Sequence, residues 1–279
     1  MDRIPFGVRQ LDTVIDGGAP PGSVVLLSGE AGAGSREFMY TSAMLNALAR
    51  TDEELHDLYY GQLARQASLP ETIHYVSFTA SGDQLYREMD RTLDTEIVES
   101  AFEEVTFKDM SDAYFHTSSV PRDWYAGETG HIRDMAGRHD RESLFGALGE
   151  YLSNNATNNL VVIDSLSDLI SSLGDGERDW SDVVYLVKGL QKAAHEWNGL
   201  ILVHVNHETV TAEEHGQLID AANGAMLFQW ESGGSERART LVFRKFRGVL
   251  SQLEDENIIR FETEIGDAGF DISDVRKIR

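Results

Sequence analysis

From Gly29 to Arg36 the chain reads Gly29-Glu30-Ala31-Gly32-Ala33-Gly34-Ser35-Arg36. Two glycines enclose four residues. An apolar run, Val24–Leu27, precedes them, and a helix-compatible segment follows. This is the setting in which backbone N–H groups cradle a phosphate at a helix N-terminus. Phosphoryl transfer on such a loop needs a Lys directly after the second Gly, to reach the β/γ-phosphates. It then needs a Ser or Thr hydroxyl, to ligate Mg²⁺. Here the Lys position holds Ser35 and the hydroxyl position holds Arg36. Gly29, Gly32 and Gly34 still permit close backbone approach to an anion. The cradle is kept and its reactive groups are not, so no residue of the loop is assigned a catalytic role.

Other chemistry-bearing residues are few. Asp164 follows the apolar run Leu160-Val161-Val162-Ile163. It would hold Mg²⁺ through water, or cap whatever follows the strand. Arg237, Arg239, Arg244, Lys245 and Arg247 form the one concentrated basic stretch of a very acidic chain. From its charge alone that stretch reads as a solvated strand end. His204 and His207 lie near a strand end, where strand alternation sends them to opposite faces and argues against a shared metal. The sequence offers no Ser/His/Asp set and no dedicated metal site.

The elements needed to position these residues follow from periodicity. Short apolar runs alternate with helical patterns, which calls for a mostly parallel sheet with crossover helices. Strands are expected at Val24–Ser28, Ile73–Phe78, Val105–Phe107, Leu160–Ile163, Leu200–Val205, Ala225–Trp230, Thr240–Phe246 and Ile258–Glu262. Helices are expected at Glu37–Ala49, Glu53–Ala67, Gly82–Leu93, Arg141–Ser153, Ser181–Trp197 and Glu213–Ala222. In the long helix Val184, Leu186, Val187, Leu190 and Ala194 make an apolar stripe. The C-terminal third reads as an antiparallel extension of the same sheet. With no linker, residues 1–279 form one domain. Two stretches fit less well: the polar Thr51–Pro70, and Asp109–Asp140, a long connection pinned by aromatics that could also serve as a partner-binding loop.

The formal net charge of -23 argues against direct binding to a phosphate backbone. Lys108, Lys188, Lys192, Lys245 and Lys277 are the lysines, and the other basic residues are arginines. An acidic, Lys-poor composition is similar to that of proteins from salt-in halophiles. There is no Cys, so neither disulfides nor thiol chemistry operate. No secretory signal and no membrane-length apolar run is visible, so a cytoplasmic location is expected.

Ordered elements around the loop give a family resemblance. Phe6-Gly7-Val8-Arg9-Gln10-Leu11-Asp12, then Asp16-Gly17-Gly18-Ala19-Pro20-Pro21-Gly22-Ser23, run into the Gly-rich turn. Ile163-Asp164-Ser165 and Lys245-Phe246-Arg247-Gly248 follow later. This arrangement resembles the KaiC/RecA-like P-loop ATPases over nearly the whole chain, in the manner of a degenerate haloarchaeal paralogue. The resemblance implies a RecA-like α/β fold. It implies a Walker B role for Asp164, a trans-subunit nucleotide contact for Lys245 and Arg247, and assembly into homo-oligomers or rings. It implies ATP or ADP with Mg²⁺ as ligand. The chain departs from that family at Thr79 and Ala80, which stand where active members carry the Glu that activates water; neither is a general base at neutral pH. Loss of the Lys alone costs roughly a hundred- to a thousand-fold in rate. The expectation is therefore a regulatory or scaffold protein of signal-transduction type that binds nucleotide weakly or not at all and works through protein partners. Two other readings stay open: an active ATPase using Arg36 or a neighbour's residues, and a DNA-recombination accessory protein.

Overall fold

The computed structural model describes residues 2–116, 118–125, 142–173, 180–233, 236–249 and 258–277. Among the described residues nine strands form a single sheet: β1 Ser23–Gly29, β2 Ile73–Ser77, β3 Val105–Asp109, β4 Leu160–Asp164, β5 Leu200–Asn206, β6 Gly224–Gly233, β7 Glu236–Phe246, β8 Ile258–Gly266 and β9 Gly269–Lys277. Their spatial order is β3-β2-β4-β5-β1-β6-β7-β8-β9. From β3 to β6 all neighbours are parallel; from β6 to β9 all are antiparallel. The helices are α1 Arg9–Val14, α2 Ser35–Thr51, α3 Glu53–Tyr59, α4 Gly82–Asp90, α5 Thr95–Ala101, α6 Ser111–Phe115, α7 Glu142–Asn155, α8 Leu166–Ser171, α9 Trp180–Trp197 and α10 Ala212–Ala221. The expected α/β architecture is present, with its parallel centre and antiparallel C-terminal extension.

The central strands are apolar on both faces because both faces are covered. In β1, Val25 and Leu27 enter one core while Val24 and Leu26 enter the other. β4 divides likewise, with Leu160 and Val162 against Val161 and Ile163, and so does β5, with Leu200 and Leu202 against Ile201 and Val203. The first core contains α2, whose Phe38, Met39, Ala43, Met44, Ala47 and Leu48 are buried outright. The second contains α7, α8, α9 and α10. This parity governs the site, since every second strand residue continues to the same side.

Several boundaries differ from expectation, each for a local reason. Helix α3 ends at Tyr59 rather than Ala67: Tyr60 and Gly61 N–H both return to His56 O, and Gly61 has φ +84°. That is a left-handed C-terminal stop, which Gly takes without strain. Helix α4 ends at Asp90 instead of Leu93. In α9 the buried stripe is Val183, Val187, Leu190 and Ala194, while Val184 and Leu186 flank it half-buried. Strand β9 pairs with β8 as a hairpin that periodicity did not indicate. Of the Asp109–Asp140 stretch, 117 and 126–140 lie outside the described residues, as does Arg141. Among the described residues no helix is long and apolar enough to cross a membrane.

Candidate functional site: a self-neutralised phosphate loop

Parity on three strands builds the site. Gly29 continues the Val25–Leu27 face of β1, Asp164 the Leu160–Val162 face of β4, and His204 the Leu200–Leu202 face of β5. All three therefore reach the side occupied by α2, at the carboxyl end of the parallel strands. In open α/β sheets that end is where ligands bind. Tyr75, on the same face of β2 after Ile73, adds a hydroxyl from below. Ser28, of opposite parity, turns away, and its Oγ lies 2.8 Å from His215 Nε2 on α10.

Ser35 starts α2 and is buried. Its Oγ lies 3.0 Å from His204 Nε2. The space exists because residue 29 is glycine: a Cβ there would stand 2.1 Å from Ser35 Oγ. Arg36, one step further round the helix, donates from Nη2 to Asp164 Oδ1 at 3.3 Å. Tyr75 OH donates to Asp164 Oδ2 at 2.9 Å. His204 Nδ1 stands 3.7 Å from Asp164 Oδ1. Burial pushes the His204 imidazole down to about 4 despite Asp164, and Arg36 adds to the fall. The ring is neutral at pH 7.

The loop itself is held from the antiparallel extension. Trp230 N–H donates to Glu30 Oε2 at 3.0 Å and its indole Nε1 donates to Ala31 O at 3.1 Å. Arg239 Nε donates to Gly32 O at 3.1 Å, while its guanidinium lies 4.6 Å from the Trp230 ring centroid. Ala31 N–H, one of the groups a phosphate would use, donates instead to Glu208 Oε2 at 3.1 Å. Ala33 N–H turns back to Glu30 O at 3.1 Å. Gly34 has φ +105°, and a Cβ on it would meet the Phe270 ring at 3.0 Å. The loop keeps its shape, but one donor is taken by a carboxylate and its cation is taken by another.

Mg²⁺ fits this arrangement poorly. Both oxygens of Asp164 are engaged, one of them by a cation, and no hydroxyl stands at the position of Arg36. Among the described residues no cluster of three or more His, Asp or Glu could hold a metal ion. His207 stacks on His215 at 5.3 Å between centroids. Lys245 and Arg247 do not join the loop. Lys245 Nζ donates to Ile219 O and Asp220 O, at 3.2 and 2.7 Å, capping the C-terminal end of α10. Arg247 is exposed. Thr79 borders a 510 Å³ cavity with Arg87, Asp109 and Trp124, outside the ion-pair cluster.

Sequence reasoning missed Tyr75, His204, Glu208, Trp230, Arg239 and Phe270 as partners of the loop. Strand parity was the available signal for Tyr75 and His204. Trp230, Arg239 and Phe270 depend on how the extension folds over the loop, and Glu208 on the turn after β5, which no local pattern encodes.

No family model matches the sequence, and no curated protein matches it. Among solved structures, the chain is similar to a KaiC-like protein from the hyperthermophilic archaeon Pyrococcus horikoshii OT3, with TM-score 0.61 at 17% identity. The match covers 98% of this chain and 99% of that one. The protein thus has the RecA-like α/β fold of a KaiC-like protein from end to end.

Proposed function

We propose that this chain is a catalytically degenerate relative of the KaiC/RecA-like ATPases, acting as one domain in a regulatory or scaffold role. The Arg36–Asp164 pair carries the reading. It ties the loop's own cation to the carboxylate that ends β4, so each cancels the other's use. Ser35 bonded to His204, and Glu208 on Ala31 N–H, support the same conclusion from the other side of the loop. ATP or ADP would compete with these internal contacts, and the reading expects weak binding or none. Work would then be done through protein partners or self-assembly, in the manner of a signal-transduction component. The acidic, Lys-poor surface fits a salt-in halophilic cytoplasm and makes nucleic acid an unfavourable partner. An active ATPase fed by a neighbour's Lys245 is disfavoured, because that ammonium already caps α10.

The test is restoration. Ser35→Lys with Arg36→Ser rebuilds the motif and frees Asp164. Mg²⁺-dependent ATP affinity should rise at least about tenfold over the parent chain, since hydrogen bonds to charged groups contribute about 1.5–3 kcal/mol. Equal affinity in both would remove the support for the reading.

A further inference from the structure

We propose that Ser35, His204 and Asp164 form an acyl-transfer site whose substrate is a small carboxylic ester. This goes beyond the reading above, which concerns phosphoryl chemistry alone and is tested by ATP.

The three residues arrive separately: Ser35 from the first position of α2, His204 from β5, Asp164 from the end of β4. Ser35 Oγ is 3.0 Å from His204 Nε2, and His204 Nδ1 is 3.7 Å from Asp164 Oδ1. Nucleophile, base and orienting carboxylate thus follow in line, and such contacts are commonly looser before substrate binds. The tautomer follows from surroundings. His204 is 8% exposed, and its Nδ1 has no hydrogen-bond partner. A proton there faces the Asp164 carboxylate. The Nε2 lone pair is then left for the Ser35 hydroxyl. With neutral imidazole the base is ready at pH 7.

The backbone suits the task. Ser35 sits on a strand–turn–helix corner after Gly34, as the nucleophile does in hydrolases built on parallel sheets. The first N–H groups of a helix lack intrahelical acceptors. Phe38 N–H already bonds Gly34 O, which leaves those of Ser35 and Arg36 beside the nucleophile for an oxyanion. Asp164 touches no substrate; it is a positioning residue. Substrate size follows from burial. Ser35 is 5% exposed and lies against Gly29, so the nucleophile is closely confined. The proposed substrate accordingly carries a short acyl group rather than a long one.

The reaction balances with water as co-reactant. Ser35 Oγ attacks the ester carbonyl carbon while Nε2 takes the hydroxyl proton. The carbonyl oxygen becomes an oxyanion. The bond from carbon to the alcohol oxygen breaks, and Nε2 returns the proton to the departing alcohol. Water then attacks the acyl-serine with the same proton transfers, releasing the carboxylic acid and Ser35.

The experiment treats the full chain, in molar KCl, with a small alkyl fluorophosphonate and maps the adduct by peptide mass spectrometry. The expected result is an adduct on Ser35, with His204→Gln slowing its formation about a hundred-fold, the lower end of general-base contributions. Hydrolysis of p-nitrophenyl acetate but not the octanoate should accompany it, and Asp164→Asn should shift the lower limb of its pH profile downward. No Ser35 adduct in folded protein, or one formed equally fast in His204→Gln, overturns the proposal. Should His204→Gln not fold, Ser35→Cys gives a second readout, since the chain has no other thiol. Alkylation by iodoacetamide should then stay fast below pH 7. An ordinary thiol titration near about 8.5 overturns the role of His204 as base.

Discussion

Arg36 Nη2 stands 3.3 Å from Asp164 Oδ1, so the cation of the Gly29–Arg36 loop is spent on the carboxylate that ends β4. The geometry explains why moving a positive charge one position along the motif does not preserve its use. Successive helix residues differ by about 100° in direction. The side chain at the Lys position, Ser35, meets Gly29 and His204, whereas position 36 reaches across to Asp164 at the end of β4.

Removing Arg36 should weaken the fold. In Arg36→Ala, Asp164 loses its guanidinium partner and keeps the Tyr75 hydroxyl bond while remaining buried. Breaking a buried pair costs about 3–5 kcal/mol. The Arg36 side chain is half-exposed, so screening reduces this to about 1–2 kcal/mol. Thermal denaturation at matched salt checks it, and Arg36→Ala with Asp164→Asn should recover part of the loss.

His204 sets a pH dependence. Its folded value, about 4, lies below the ordinary histidine value of 6.5. A depressed pKa means that the folded state resists protonation. The corresponding stability is fully present above about pH 6.5 and is lost as pH falls towards 4, an effect of about 3 kcal/mol at one unit per 1.36 kcal/mol. Chemical denaturation at pH 7 and pH 4 should show a smaller fall for His204→Gln than for the parent chain.

The C-terminal hairpin supports the loop through Phe270, which is 1% exposed. Its ring packs edge-on to Phe38 at 5.3 Å and Phe228 at 5.6 Å, and lies against Gly34. Phe270→Ala should cost about 3–5 kcal/mol. It should also raise amide exchange at residues 31–35, which a purely remote packing defect would leave protected.

Asp12 holds the chain entry. Its carboxylate accepts from Phe6 N–H at 2.8 Å, Gly7 N–H at 2.9 Å and Tyr60 OH at 3.1 Å. Burial pushes its pKa up to about 7 against the pull of those donors. Asp12→Asn would point an amide N–H₂ at a backbone N–H and leave a buried donor unpaired, at a cost of about 1–3 kcal/mol. Urea denaturation should give a lower midpoint with an unchanged slope.

Much of this fold was legible because it rests on burial. Val24–Leu27 and Leu160–Ile163 are unbroken apolar runs, and both are central strands covered on both faces. Strand β9 was not legible. Its apolar residues fall at Phe270, Ile272 and Val275, so the period of two breaks. The register shows why: Thr263 pairs with Ile272 and Glu262 with Asp274, leaving Ser273 as an extra residue at a bulge. The site was legible in its identities but not in its partners. The loop, Asp164 and the odd placement of Arg36 are all sequence facts. That Arg36 reaches Asp164, and that Ser35 meets His204, depends on strand order β4-β5-β1. Lys245 is a second case in which the residue is a sequence fact and its contacts belong to the fold. A basic residue near a strand end reads as available, yet its ammonium is committed to the end of a helix 25 residues earlier.

The most direct measurement is equilibrium binding of ATP with Mg²⁺ in molar KCl, with phosphate release followed in the same sample. A self-neutralised loop predicts weak or no binding and no phosphate release above a buffer control. Steady phosphate release that disappears in Arg36→Ala would contradict it, since the guanidinium would then be serving the nucleotide rather than Asp164.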